Sequence, residues 1–247
     1  MKKLQLAIFG LVLALAGLAG VMSANAALTW NFNNAADYYV SGDSGTPPAN
    51  TSYLPVITVG VGAYVPARPW INTDDDPPYG SDWAAVFAKV NTQALLRVGD
   101  ITGGGFTLSG MNHPDAVYGS LYLSPTGGGG STVVINMSPM SYTGTGGNLI
   151  YTFGLDTPAD VKIGAPNWGV AQYTGTFGGA IDWVNASAYS DTYAAFFGPQ
   201  IGMSGTSGTT FTVSEIQLVP EPTTAGCFLL GLGALACFQR FTQKRRS

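Results

Sequence analysis

From Pro55 to Val65 the chain reads PVITVGVGAYV, with Ile57, Val59, Val61, Ala63 and Val65 on one parity and Thr58, Gly60, Gly62 and Tyr64 on the other. A period of two marks a strand with one buried face, so this stretch predicts a single strand. Shorter runs rich in β-branched and aromatic residues recur: LTWNF at 28–32, GFTLSGM at 105–111, VYGSLYL at 117–123, STVVINM at 131–137, NLIYTFGL at 148–155, WGVAQYTGTF at 168–177 and TFTVSEIQL at 210–218. Between them stand turn-forming clusters: Gly103-Gly104-Gly105, Ser124-Pro125-Thr126 leading into Gly127 to Gly130, Gly144-Thr145-Gly146-Gly147, and Ser204 to Gly208. In the last run Phe211 and Val213 share one parity while Ile216 and Leu218 share the other. A bulge near Ser214-Glu215 would return both pairs to one face. The stretch 81–98, SDWAAVFAKVNTQALLRV, supports two readings. Trp83, Val86, Phe87, Val90, Ala94 and Val98 keep helical spacing behind a capping Ser81 or Asp82, and a strand pair fits nearly as well. Eight or so short strands at this interval predict an all-β fold, a single β-sandwich or jelly-roll-like domain.

Both ends break the pattern. Lys2 and Lys3 precede an apolar run from Leu4 to Met22, and Ser23-Ala24-Asn25-Ala26 follows. A basic start, an apolar stretch and small residues at Ala24 and Ala26 form a signal peptide, a helix cleaved by signal peptidase after Ala26. At the other end Ala225 to Phe238 carries no charge or strongly polar side chain, and Arg240, Lys244, Arg245 and Arg246 follow it. Extended to Thr223 and Gln239, this hydrophobic helix nears the lower limit for spanning a bilayer, with the basic tail as its cytoplasmic stop. The chain therefore divides into a signal peptide at 1–26, an extracytoplasmic β-sandwich at 27–218 and a terminal segment at 219–247.

Removing the ends changes the charge. The whole chain is formally −4, but residues 27–219 hold four basic side chains, Arg68, Lys89, Arg97 and Lys162, against thirteen carboxylates, a net −9. Such a surface repels nucleic acid and anionic lipid and leaves cations, neutral glycans or proteins as partners. Cys227 and Cys237 both lie in the terminal apolar run, so the sandwich has no disulfide and no thiolate metal site. Roughly 193 residues suffice to bury a core without such staples.

Candidate chemistry is sparse. Gly-Asp-Ser-Gly at 42–45 places Ser44 in a motif that resembles the nucleophile of trypsin-like serine proteases. Thr46 stands where that family has glycine, and the lone histidine, His113, follows the serine instead of preceding it, so the order fails. His113 beside Asp115 reads as a turn residue. Asp74, Asp75 and Asp76 crowd one loop, a candidate calcium site without EF-hand spacing; no other cofactor is implied. Trp70, Trp83, Trp168 and Trp183 fall near turns or acidic residues, where rings can stack on sugars, although rings in an all-β protein mostly pack the core. Glycoside hydrolysis needs two flanking carboxyls, and among thirteen carboxylates a close pair is uninformative.

One motif is specific. Pro220-Glu221-Pro222, the apolar helix and the Arg/Lys terminus, in that order, resemble the PEP-CTERM sorting signal of Gram-negative bacteria, with Val219 preceding the motif. The similarity covers about the last 27 residues. It implies recognition by exosortase, an integral membrane cysteine transpeptidase-like enzyme that cuts near the motif. It also implies an inner-membrane precursor, then a place at the cell surface or in the extracellular matrix. Such proteins accompany exopolysaccharide synthesis in biofilm- or floc-forming bacteria, and the signal leaves the activity of its cargo undefined. The first expectation is a non-enzymatic protein with a structural or adhesive role. The second is a carbohydrate-binding module, with two or three exposed tryptophans or tyrosines along one face, and the third is a secreted hydrolase.

Overall fold

In β10 (Asn148–Gly154) the side chains of Leu149, Tyr151 and Phe153 are buried while Asn148, Ile150 and Thr152 face out, so one face of the strand must find an apolar partner. The same alternation, repeated along the chain, builds a two-layer protein. The computed structural model describes residues 27–42, 54–66, 84–125, 132–164, 169–201 and 209–221. The other strands are β1 (Leu28–Trp30), β2 (Tyr38–Gly42), β3 (Val56–Thr58), β4 (Gly62–Val65), β5 (Ala84–Lys89), β6 (Ile101–Ser109), β7 (Val117–Ser124) and β8 (Val133–Met137). They continue with β9 (Ser141–Thr145), β11 (Pro158–Ile163), β12 (Ala171–Thr176), β13 (Tyr193–Ile201) and β14 (Phe211–Pro220). One antiparallel sheet runs β3-β4-β14-β6-β10-β9, with β1 also on β14, and the other runs β12-β11-β8-β7-β13-β5-β2.

The two inner faces meet through aromatic rings. Phe197 of the second sheet lies 5.3 Å from Phe153 and 6.4 Å from Phe106 of the first, centroid to centroid. Around them Leu108, Leu121, Ile135 and Val161 are fully buried. The chain is thus an all-β sandwich. A short helix, α1 (Phe177–Ala186), packs beside β11 and β12. Its buried Phe177, Ala180, Ile181 and Val184 recur at helical spacing, and the Thr176 hydroxyl caps it by accepting the Gly179 amide at 3.2 Å.

The structure corrects several sequence expectations. Pro55 to Val65 is not one strand but the hairpin β3-β4. Gly60 takes φ 77°, and the Val61 amide bonds the Thr58 carbonyl at 3.0 Å, which turns the chain and leaves Val59 and Val61 57% and 64% exposed. Gly103-Gly104-Gly105 is no turn but the middle of β6. Gly144 and Thr145 belong to β9, and the reversal is the two-residue loop Gly146-Gly147, at φ 64° and 81°, the left-handed pair of a tight hairpin. Of the helix or strand pair expected within 81–98, the described residues form one strand, β5, followed by a 3-10 turn at Val90–Thr92 in place of a second strand. Phe177, placed in a strand by the sequence, opens α1. The parity shift in β14 is present: Phe211, Val213, Ile216 and Leu218 are all buried. It falls where the neighbouring strand changes from β4, which pairs with Phe211–Val213, to β1, which pairs with Ile216–Leu218.

Near β1 the buried Phe32 takes φ 59°, unusual for a residue with a side chain. Tyr38 holds it there, stacking on its ring at 4.0 Å with planes 8° apart and accepting its amide N–H at 2.6 Å. Replacing Tyr38 with Phe keeps the stack and strands the amide, at an expected cost of about 1–3 kcal/mol. A urea midpoint unchanged from wild type would refute that role.

Candidate functional site

Two outward faces carry recessed or aromatic surface. On the first sheet, β6 presents Gly103 and Gly105 outward, opposite Gly154 and Thr152 of β10. With no side chains there, the strand floors a groove of about 370 Å³. Ile150 and Thr152 stand on one side, Glu215 and Gln217 of β14 on the other. The Gln217 amide donates to Glu215 Oε1 at 2.7 Å, which fixes that carboxylate against the wall. Among the described residues Glu215 is the carboxylate that lines the groove.

The outer face of the second sheet is built differently. Register places Lys162, Val134, Tyr122, Phe196 and Lys89 in one row across β11, β8, β7, β13 and β5. The adjoining row holds Asp160, Asn136, Ser120 and Gly198, and beyond it Tyr118 pairs with Gln200. At the far side Tyr39 of β2 lies opposite Phe87 of β5. Four of these rings form linked pairs. Tyr39 and Phe196 are 5.5 Å apart, and Phe87 meets Tyr122 edge-on at 5.0 Å. Tyr39 is 48% exposed, whereas Phe87 is 3% exposed and forms the floor.

Polar groups sit among the rings. Ser120 is fully buried, with its hydroxyl 2.8 Å from Asn136 Oδ1 and 3.0 Å from Gln200 Oε1. The Tyr122 hydroxyl donates to Gln200 Oε1 at 3.3 Å. Burial, with Tyr39 adding to it, pushes the Tyr122 hydroxyl up to about 12. Burial also raises Tyr118. Both therefore remain neutral O–H groups across the physiological range. Lys162 pairs with Asp160 at 3.6 Å, and the Lys89 ammonium donates to the Ala36 carbonyl at 2.8 Å.

Of the residues singled out in the sequence, Ala24, Ala26, Ser44, Trp70, Asp74, Asp75, Asp76, Trp83, Trp168, Pro222, Arg240, Lys244, Arg245 and Arg246 lie outside the described residues. Trp183 is on α1, half-buried against the core and stacked near Tyr189 at 6.4 Å. It belongs to neither face described above. His113 precedes a 3-10 turn, Pro114–Ala116, whose Pro114 carbonyl accepts the Tyr151 hydroxyl at 2.8 Å. Pro220 is the final residue of β14 and Glu221 follows it directly. Among the described residues no three His, Cys, Asp or Glu side chains gather in a metal-binding group.

The sequence reading missed Tyr39, Tyr118, Tyr122 and Phe196. Its signal was present in VYGSLYLS, where Tyr118, Ser120, Tyr122 and Ser124 share the parity opposite the aliphatic one. Bulky rings on the polar parity of a strand mark an aromatic outer face. No protein-family model matches the chain, and no curated protein does. Any functional reading rests on the residues themselves.

Proposed function

We propose that this is an exported protein, sorted by exosortase through its Pro220-Glu221-Pro222 motif to the cell surface or extracellular matrix, where it has a structural or adhesive role linked to exopolysaccharide. The observation that best supports this reading is the pairing of Leu28 with Leu218. Because β1 and β14 are antiparallel, the chain enters the sandwich at Ala27 and leaves it at Val219 from the same end of neighbouring strands. The two junctions that the sequence marks, after Ala26 and at Pro220, thus adjoin one end of the same strand pair. Pro220 ends the strand with a residue that has no amide to donate, so the motif begins where the ladder stops. Exosortase would meet it without unfolding the sheet.

The test is in the cell. Glu221→Gln is expected to leave precursor in the inner membrane, seen as a slower-migrating species in membrane fractions. Exported wild-type protein that still contained peptides spanning Thr223 to Arg246 by mass spectrometry would overturn the assignment.

A further inference from the structure

We propose that the outer face of the second sheet binds a neutral polysaccharide chain, with Tyr39, Phe196 and Tyr122 as stacking platforms and Asn136 and Gln200 as readers of its hydroxyls. This would give the adhesive role a site, and it depends on no feature of the tail.

Three observations converge. First, the rings cluster on the outward face, Tyr39 beside Phe196 and Tyr122 edge-on to a buried Phe87. Sugar rings have apolar faces that pack on aromatic faces, and tyrosine adds a polar edge that tolerates water. Second, the amides are pinned. The Ser120 hydroxyl lies 2.8 Å from Asn136 Oδ1 and 3.0 Å from Gln200 Oε1, and the Tyr122 hydroxyl donates to the same Gln200 oxygen. With their oxygens engaged by Ser120, both amides keep NH₂ donors to offer sugar hydroxyls, which accept as well as give hydrogen bonds. Few precisely placed polar groups among apolar ones is the usual make-up of a small-molecule site.

Third, charge selects a neutral chain over an anionic one. Lys162 is paired with Asp160, Lys89 is held by a backbone carbonyl, and residues 27–219 carry net −9. A polyanion approaching this face meets repulsion at long range and, among the described residues of the face, lysines already committed to other partners. The row from Lys162 to Lys89 crosses five strands, about 19 Å at sheet spacing, which is long enough for several sugars in line.

The full chain, purified in mild detergent, is run by affinity electrophoresis through gels containing dextran, galactomannan, hydroxyethylcellulose or alginate. Retardation by at least one of the three neutral polymers, unchanged by added salt, is expected. Tyr39→Ala and Gln200→Ala should each weaken it by about tenfold or more. Tyr39→Phe should retain it, and Ile150→Ala, in the groove of the opposite sheet, should leave it intact. Melting curves matching wild type show that the Tyr39 variants are folded. No retardation by any neutral polymer, salt-labile binding to alginate alone, or equal loss in Ile150→Ala overturns the proposal. So does self-association that Tyr39→Ala abolishes with polymer binding unchanged, which would make the face an interface between copies. Failed sorting of Glu221→Gln has no bearing on this assay, so the two readings fail separately.

Discussion

Phe197→Ala is expected to destabilise the sandwich by about 3–5 kcal/mol, the usual cost of truncating a buried aromatic. For a domain of this size that corresponds to a fall in Tm of about 6–20 °C. Phe197 is fully buried on β13, in the second sheet, and its ring touches Phe106 of β6 and Phe153 of β10, in the first. Phe153 in turn meets Phe177 of α1 edge-to-face at 5.0 Å. Truncation therefore opens a void where both layers and the helix converge, and no single neighbour can close it, since each is fixed by its own ladder or helix. Phe197→Leu, which retains most of the volume, should cost clearly less. Calorimetric melting of the two variants decides the matter; equal and small losses would mean the layers are held together elsewhere.

Gly105→Ala should also be costly, although it adds only one methyl group. A Cβ at Gly105 would collide with the carbonyl oxygen of Tyr151 on β10. That oxygen belongs to backbone, so no rotamer change relieves the clash and β6 must move off β10. Overpacking of this kind costs about 1–3 kcal/mol, and more where a ladder is broken. Gly154 provides the control, because a Cβ there has nothing within 4 Å. Gly154→Ala should therefore be near neutral, or slightly stabilising through reduced freedom of the unfolded chain. Urea midpoints for the pair test the argument; a similar shift in both would show that glycine flexibility, not the close approach of β6 and β10, governs these positions.

These two glycines also show where sequence reading reaches its limit. The strands β7 and β8 were legible as runs of β-branched and aromatic residues and β10 by its alternation, and even the parity break at Ser214-Glu215 in β14 could be read as a structural feature. Gly103 to Gly105 misled, since glycine signals a turn by backbone freedom and also permits close strand approach by lacking a side chain. Only the neighbouring strand tells the two apart. β9 was hidden because all of its residues are exposed, which leaves no alternation to detect. The helix α1 was readable in principle from Thr176 and from the spacing of Phe177, Ala180, Ile181 and Val184, but its short length and preceding strand masked it. The aromatic face was the least legible. Tyr39, Tyr122 and Phe196 come from three strands far apart in sequence and are assembled by register alone.

β14 has a bearing on timing as well as architecture. It is the last of the described strands, yet β1 has no other ladder partner among them and the β3-β4 hairpin joins β6 only through it. A chain delivered N-terminus first cannot complete this sheet early, and pairing so distant in sequence is slow to form. A chain emerging N-terminus first should thus keep this sheet loose and close it only when its final described strand is available. In this topology β14 acts as the latch that joins two separately formed parts of one sheet.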